Sequence, residues 1–309
     1  LEGVEFNNLD YEQYKVLSKY MDDEEMKIAS IDMGTNAIKS KIFKTTPASI
    51  EFIQGIRSPI RLGSEVFNEG NLSLGKLDQV IETINEYEEV FKENSISHYE
   101  IVATSAFRDT SNSEDARRYI ETAINHPLRV ISGLEEAKLI RFHPKSNTGK
   151  NKIFVDLGGG STEFFIRNEE DTIIRSFQLG AVRNMLKKDE KEEWQRLERW
   201  LQSIKSKKNL IGIGGNIRSF LNSQGSKEMS FNEFIKKSKR LSKLDTEEKI
   251  KRYEFSPDRA DVIDHALHIF KFIAERLEIQ TITSTKWGIS DSIAIKLFHE
   301  LYSSKVTIS

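Results

Sequence analysis

The chain has 309 residues, 38% of them hydrophobic and 9% aromatic, enough to fill the cores of two ordinary domains and too apolar for a disordered chain. It has no cysteine, which excludes disulfide frameworks, thiolate metal sites and cysteine nucleophiles. Lys and Arg together number 46 against 48 Asp and Glu, so the net charge of −2 singles out no partner, and no stretch approaches the roughly 20 apolar residues of a membrane span.

Residues 1–25 read as an appended helix with Leu9, Tyr14, Leu17 and Met21 on one stripe. This segment is acidic and lacks the basic-then-apolar order of a signal peptide, so the expectation is a soluble cytoplasmic protein. The first core strand covers 28–31 and ends in Asp32-Met33-Gly34-Thr35-Asn36, and strands follow over 38–43 and 50–56. Ser73 opens a long amphipathic helix carried by Leu77, Val80, Ile81, Ile84, Tyr87 and Phe91. A strand over 101–103, a helix over 114–124, a strand over 128–131 and a helix over 133–142 complete this half. Residues 144–151 are polar and read as a linker.

The same order then begins again. A strand over 153–155 ends in Asp156-Leu157-Gly158-Gly159-Gly160-Ser161-Thr162, and strands over 163–166 and 172–177 follow. A helical stretch over 192–204 leads to a strand over 210–213, which runs into Gly214-Gly215-Asn216, and helices dominate the remainder. Two halves that each open with a strand, an aspartate and a glycine-rich turn imply a duplication and a cleft between paired domains.

A glycine-rich turn lets backbone N–H groups approach phosphate oxygens closely, and Thr35, Asn36 and Ser161 can add side-chain donors. A strand-end aspartate cannot bind phosphate itself, so it calls for a Mg²⁺ or a water that does. One such turn would serve hairpin geometry alone; two at matching positions point to function. Ser132 and Glu135 have the spacing of a capping box, which occupies Glu135 and leaves Glu136, about 100° further round the helix, to serve as a general base or as a solvated carboxylate. In Ala103-Thr104-Ser105-Ala106-Phe107-Arg108, a strand end with hydroxyls and an arginine suits a phosphate clamp, or a helix cap and a surface ion pair. His265 and His268 lie at helical spacing without further ligands, and a core or surface role fits them best. Lysine and arginine crowd the C-terminal half, at 187–191, 205–208 and 236–243, as a solvated surface or as a basic track for a polyanion.

These motifs, with Arg61-Leu62-Gly63, Gly70-Asn71-Leu72-Ser73, Leu179-Gly180-Ala181-Val182-Arg183 and Arg259-Ala260-Asp261-Val262-Ile263, resemble in order those of the exopolyphosphatase and guanosine pentaphosphate phosphohydrolase family, within the actin, Hsp70 and sugar-kinase superfamily. The resemblance spans roughly residues 28–298 and implies an α/β fold of two RNase H-like domains flanking a cleft. It places an extension at 1–25, one domain at 26–146 and the other at 147–309, with the last helix packing back on the first. The implied chemistry is Mg²⁺-dependent attack of water on a terminal phosphate of polyphosphate or a guanosine polyphosphate, with neither nucleic acid nor membrane as partner and a homodimer as the assembly.

Carried over by position, Glu136 resembles the catalytic base, and Asp32, Asp156 and Glu163 resemble the carboxylates around metal and water. Gly34, Thr35, Asn36, Gly158, Gly159, Gly160, Ser161, Gly214, Gly215 and Asn216 resemble the phosphate-binding turns, with Ser105 and Arg108 as the clamp. The chain departs from the pattern at Lys39, where arginine is usual, at Asn216, where threonine is usual, and across Trp287-Gly288-Ile289-Ser290-Asp291-Ser292, where a Gly-Leu-Arg-Glu-Gly segment is usual. It resembles a short form without the helical histidine-aspartate domain of longer members.

Overall fold

A computed structural model describes residues 25–47, 49–146, 151–168 and 171–303. The helix expected over 1–25 lies outside the described residues except for Glu25, as do residues 147–150 of the segment read as a linker.

The first half builds a five-stranded sheet in the order β3-β2-β1-β4-β5. Its strands are β1 (Met26–Met33), β2 (Ile38–Thr46), β3 (Ser49–Ser58), β4 (His98–Ala103) and β5 (Leu128–Val130). β1, β2 and β3 form an antiparallel meander, whereas β4 and β5 join parallel to β1. The second half repeats this plan with β6 (Lys152–Leu157), β7 (Thr162–Arg167), β8 (Thr172–Phe177), β9 (Asn209–Ile213), β10 (Glu228–Ser230) and β11 (Thr281–Ser284), in the order β10-β11-β9-β6-β7-β8. The duplication read from the sequence is therefore a duplication of sheet topology, with β10 added at one edge. Both short strands were missed. β11 pairs with β9, a segment about 70 residues earlier, and no local pattern reveals such a partner.

Thirteen helices are described, among them α1 (Leu62–Glu69), α2 (Leu74–Glu93), α3 (Ser105–Asp109), α4 (Ser113–Ile124) and α5 (Gly133–Leu139). Ser73 caps α2 by accepting a hydrogen bond from the Lys76 N–H at 3.2 Å. Leu77, Val80, Ile84, Tyr87 and Phe91 on its stripe are buried, each burial contributing ~2 kcal/mol. The helix expected over 133–142 is α5 followed by a single 3₁₀ turn, Ile140–Phe142.

In the second half, α6 (Ala181–Met185) and α7 (Lys191–Ser203) precede β9, and α8 (Gly215–Ser223) follows it. Then come α9 (Phe231–Leu241), α10 (Thr246–Tyr253), α11 (Pro257–Ala260), α12 (Ile263–Arg276) and, after β11, α13 (Ile289–Ser303). α13 returns to the first sheet, where Ala294, Phe298 and Tyr302 pack on Ile28 of β1 and Phe43 of β2. One end of the second half is thus anchored on the first, and residues of both halves line one cleft.

Candidate active site

The floor of the cleft is a pair of equivalent hairpins. In the first, Asp32 at the end of β1 stands opposite Lys39 of β2, and Lys39 opposite Arg57 of β3. In the second, Asp156 of β6 stands opposite Glu163 of β7, and Glu163 opposite Ser176 of β8. Directly opposed residues share a sheet face, so each hairpin presents one row of three polar side chains. The turns match as well. The Gly34 N–H donates to the Ala37 carbonyl at 3.1 Å, and the Gly158 N–H to the Ser161 carbonyl at 3.0 Å.

The two rows differ in charge. Lys39 Nζ lies 3.2 Å from Asp32 Oδ2, an ion pair, whereas Asp156 and Glu163 are like charges side by side. Burial pushes the Asp156 carboxyl up to about 7; Glu136 and Asp32 add to the rise, and Lys39 opposes it. Burial raises Glu163 well above the ordinary carboxylate range, again with help from Glu136.

Glu136 enters from α5. The capping box is present: Ser132 Oγ accepts from the Glu135 N–H at 3.2 Å, and Glu135 Oε2 from the Ser132 N–H at 2.8 Å. Glu135 is exposed, whereas Glu136 is buried and lines the cleft. The solvated-carboxylate alternative for Glu136 is thereby excluded. Burial raises its carboxyl and Asp32 adds to the rise, against the attraction of Arg108. Arg108 Nη1 donates to Glu136 Oε2 at 2.8 Å and its Nη2 to Ser161 Oγ at 3.1 Å, while Glu163 lies 3.9 Å away. Arg108 is therefore a partner of the candidate base and not a surface ion pair.

Asp32, Gly34, Thr35, Asn36, Ser105, Glu136, Asp156, Gly158, Gly159, Ser161, Gly214, Gly215 and Asn216 all line one cleft with an open volume of about 720 Å³. Gly160, Glu163 and Arg108 do not line it, and Arg108, expected as a phosphate clamp, stands behind Glu136 instead. A Cβ on Gly160 would stand 2.6 Å from Ser105 Oγ and 2.8 Å from Phe67, so this glycine lets the second turn press against the first half. Glu163 is 1% exposed and accepts a hydrogen bond from Ser176 Oγ at 2.9 Å, one strand behind Asp156.

Thr35, Asn36 and Asn216 line the cleft with side chains engaged elsewhere. The Thr35 and Ser105 hydroxyls share a hydrogen bond of 2.6 Å, and Asn36 Nδ2 donates to Asp258 Oδ2 at 2.9 Å. Asn216 donates to the Leu157 carbonyl at 3.3 Å and accepts from Arg259. What Asn36 offers a phosphate is thus its backbone, not the side-chain donor expected, while the Thr35 hydroxyl is shared with Ser105.

Arg57 and Arg259 also line the cleft, and Arg57 pairs with Asp258. Arg57 carries no motif signal, though its place opposite Lys39 follows from the hairpin register. Burial lowers the Arg259 guanidinium to about 10, still protonated at neutral pH. Gly288 and Ile289 of the altered segment line the cleft too, while Asp291 accepts from the Gly288 N–H at 2.7 Å and pairs with Lys41. The basic residues at 187–191, 205–208 and 236–243 lie away from the cleft, and Lys207 among them is buried. His265 contacts Asn184 at 2.8 Å and His268 packs on Trp194.

Among the described residues no group of three or more His, Asp or Glu side chains is placed to hold a metal ion, so the trio Asp32, Asp156 and Glu163 does not form a metal cage. Asp32 and Asp156 alone share the cleft with the phosphate-facing turns. One or two carboxylates, completed by waters and substrate phosphates, are what Mg²⁺ ordinarily takes, and this hard oxygen pair fits it.

A family model described as the Ppx/GppA phosphatase family matches residues 41–300. The guanosine-5'-triphosphate,3'-diphosphate pyrophosphatase of Vibrio vulnificus is 24% identical over 297 residues, covering 88% of this chain and 59% of that protein. The chain thus spans about three fifths of the length of that curated relative. Among solved structures, the Ppx/GppA family member of Aquifex aeolicus superposes with a TM-score of 0.73 at 22% identity, covering 92% of this chain and all of that one. An exopolyphosphatase from Cytophaga hutchinsonii superposes with a TM-score of 0.79 at 20% identity, covering 89% and 98%. At such identities the likeness is one of fold, and it is the two-domain actin-like architecture expected from the sequence.

Proposed function

The chain belongs to the Ppx/GppA phosphatase family, and from that premise we propose that it hydrolyses the terminal phosphoanhydride bond of inorganic polyphosphate with Glu136 as general base. The observation that carries this reading is the Glu136 carboxyl itself, buried beside the two phosphate-facing turns with its pKa raised. A base is most effective when its pKa approaches the working pH, and burial moves this one in that direction.

In this reading the terminal phosphoryl group lies between the Gly34 and Gly158 turns, whose backbone dipoles hold its oxygens. Glu136 takes a proton from a water that attacks phosphorus in line with the bridging oxygen. The P–O anhydride bond breaks, and the shortened chain leaves with the bonding electrons. Arg108 holds the Glu136 side chain in place by donating to its carboxylate from behind. Asp32 and Asp156 would hold a Mg²⁺, which when bound neutralises charge on the phosphate oxygens.

Polyphosphate is preferred over a guanosine polyphosphate because the residues lining the cleft include no aromatic ring to stack a base, while they do include Arg57 and Arg259, whose partners Asp258 and Asn216 a phosphate would have to displace or share. The guanosine substrate is the second reading, favoured by the name of the Vibrio vulnificus relative. A binding protein with little turnover is a third, motivated by the altered segment that places Gly288 and Ile289 on the cleft.

Phosphate release with Mg²⁺ is measured from long-chain polyphosphate and, separately, from guanosine pentaphosphate, for the wild type and Glu136→Gln. Release from polyphosphate that the substitution lowers by at least roughly 100-fold is expected, the usual scale for removing a general base. Release only from the nucleotide selects the second reading. Tight binding without release from either selects the third.

A further inference from the structure

Behind the candidate base lies a second cavity. Ser161 lines both it and the catalytic cleft, and the wall between them is the hydrogen-bonded set Arg108, Glu136 and Ser161. Glu136 faces the cleft, whereas Arg108 faces the second cavity. The far side of that cavity is lined by Leu134, Ser176, Gln178 and the Glu193–Arg196 ion pair, and Leu134 on its rim is 49% exposed. The partition is therefore the Arg108–Glu136 pair itself.

We propose that this cavity is the exit by which orthophosphate leaves after hydrolysis. The inference rests on the reading of the cleft as a phosphoanhydride hydrolase and follows from the order of groups along it. A chain whose terminal phosphoryl reaches Glu136 lies with its remainder toward the cleft mouth. Once the anhydride bond breaks, the orthophosphate sits innermost and the shortened chain blocks the way it came. It can leave first only through the wall behind it.

The wall is built to let it pass. Arg108 holds Glu136 and Ser161 by hydrogen bonds that a phosphate oxygen can replace one for one, and a guanidinium grips two such oxygens at once. Beyond it the route is polar: Ser132, Ser176 and Arg196 line the same cavity, together with Asp109 and Glu193, whose charges are balanced by Arg183 and Arg196. An enzyme with this exit retains its chain between turnovers, so successive phosphates come off one bound molecule.

Leu134→Trp narrows the outer mouth and Arg196→Glu reverses its charge; both residues are exposed and stand outside the catalytic groups. Each variant is compared with wild type by steady-state turnover of polyphosphate and by single-turnover phosphate formation after acid quench. The expected result is steady-state turnover lowered 5- to 10-fold with single-turnover formation unchanged, so that a burst equal to the enzyme concentration precedes a slow phase. Unchanged turnover in both variants, or equal loss in both measurements, overturns the exit. Should the wild type hydrolyse neither substrate, the hydrolase reading falls by itself. Dissociation of radiolabelled orthophosphate from the resting protein then decides the exit: slowed in both variants it stands, and unslowed it fails.

Discussion

Replacing Asp156 by Asn removes a charge that the fold disfavours, and the variant is expected to be more stable than wild type above neutral pH. Asp156 is 7% exposed, and burial with the neighbouring Glu136 and Asp32 moves its pKa from 3.8 to about 7. The folded chain therefore holds a proton there that the unfolded chain has already lost, and each pH step through that window favours unfolding. About three units at ~1.4 kcal/mol each make the ionised carboxylate cost up to ~4 kcal/mol above pH 7, and nothing below about pH 4. Asparagine keeps the shape without the charge. In the absence of divalent cations, the melting midpoint of Asp156→Asn should exceed that of wild type by roughly 5–10 °C at pH 8 and approach it at pH 4. Added Mg²⁺ should raise the wild-type midpoint at pH 8 and leave the variant nearly unmoved. Parallel midpoint curves from pH 4 to 8 would show that Asp156 is not strained, and the placement of the metal beside it would lose its support.

Gly133→Ala would set a Cβ 2.1 Å from Ser176 Oγ, so α5 and Glu136 must shift; turnover should fall ~100-fold and return with Ser176→Gly added, whereas a double mutant no better than the single would refute the contact. Turnover should rise with pH as Glu136 deprotonates, with an acid limb above the ordinary carboxylate range. Arg108→Met, which removes the charge that favours ionised Glu136, should move that limb higher still, and a stationary limb in kcat/KM assigns it to another group. Arg57→Ala should raise KM for long polyphosphate about 5-fold with kcat within about twofold, as expected of uniform binding; a fall in kcat instead would place Arg57 at the reacting phosphate.

What was legible in the sequence was local. The Ser132–Glu135 box spans three residues, so it could be read directly, and it correctly left Glu136 for the cleft. The two Asp-Gly turns were legible for the same reason, and their repetition announced the duplicated sheets. What escaped depended on register or on distant pairing. Arg57 lies on an edge strand, and only its alignment with Lys39 and Asp32 brings it to the cleft. Asn36 and Thr35 were read as donors to phosphate because residue type says nothing of the Asp258 and Ser105 that occupy them. Gly160 looked like a third phosphate-facing glycine until Ser105 and Phe67 were seen pressed against it.

The cleft holds charges of both signs, and their mixture bears on substrate. Asp32, Glu136 and Asp156 gather at the catalytic end beside the two turns, with Lys39 the cation bound to Asp32. Arg57 and Arg259 belong to the side where Asn36 meets Asp258 and Asn216 meets Arg259, and Arg57 is 32% exposed there. A polyanion entering this cleft meets Arg57 and Arg259 as well as the three carboxylates. The arginines attract the chain from solution, but three carboxylates repel its terminal phosphoryl unless a cation accompanies it or the carboxyls hold protons. Burial is the main cause of the raised Asp156 pKa, and the contribution of Glu136 and Asp32 to it is the same repulsion seen without substrate. Phosphate binding and Mg²⁺ binding are therefore linked in this site, and each should tighten the other by the same factor. Equilibrium titration of polyphosphate into Glu136→Gln, which retains Asp32 and Asp156 but turns over little, should give a Kd that falls with rising Mg²⁺. A Kd independent of Mg²⁺ would mean that Lys39 and the arginines alone balance the terminal phosphate, and that the carboxylates serve the water and not the metal.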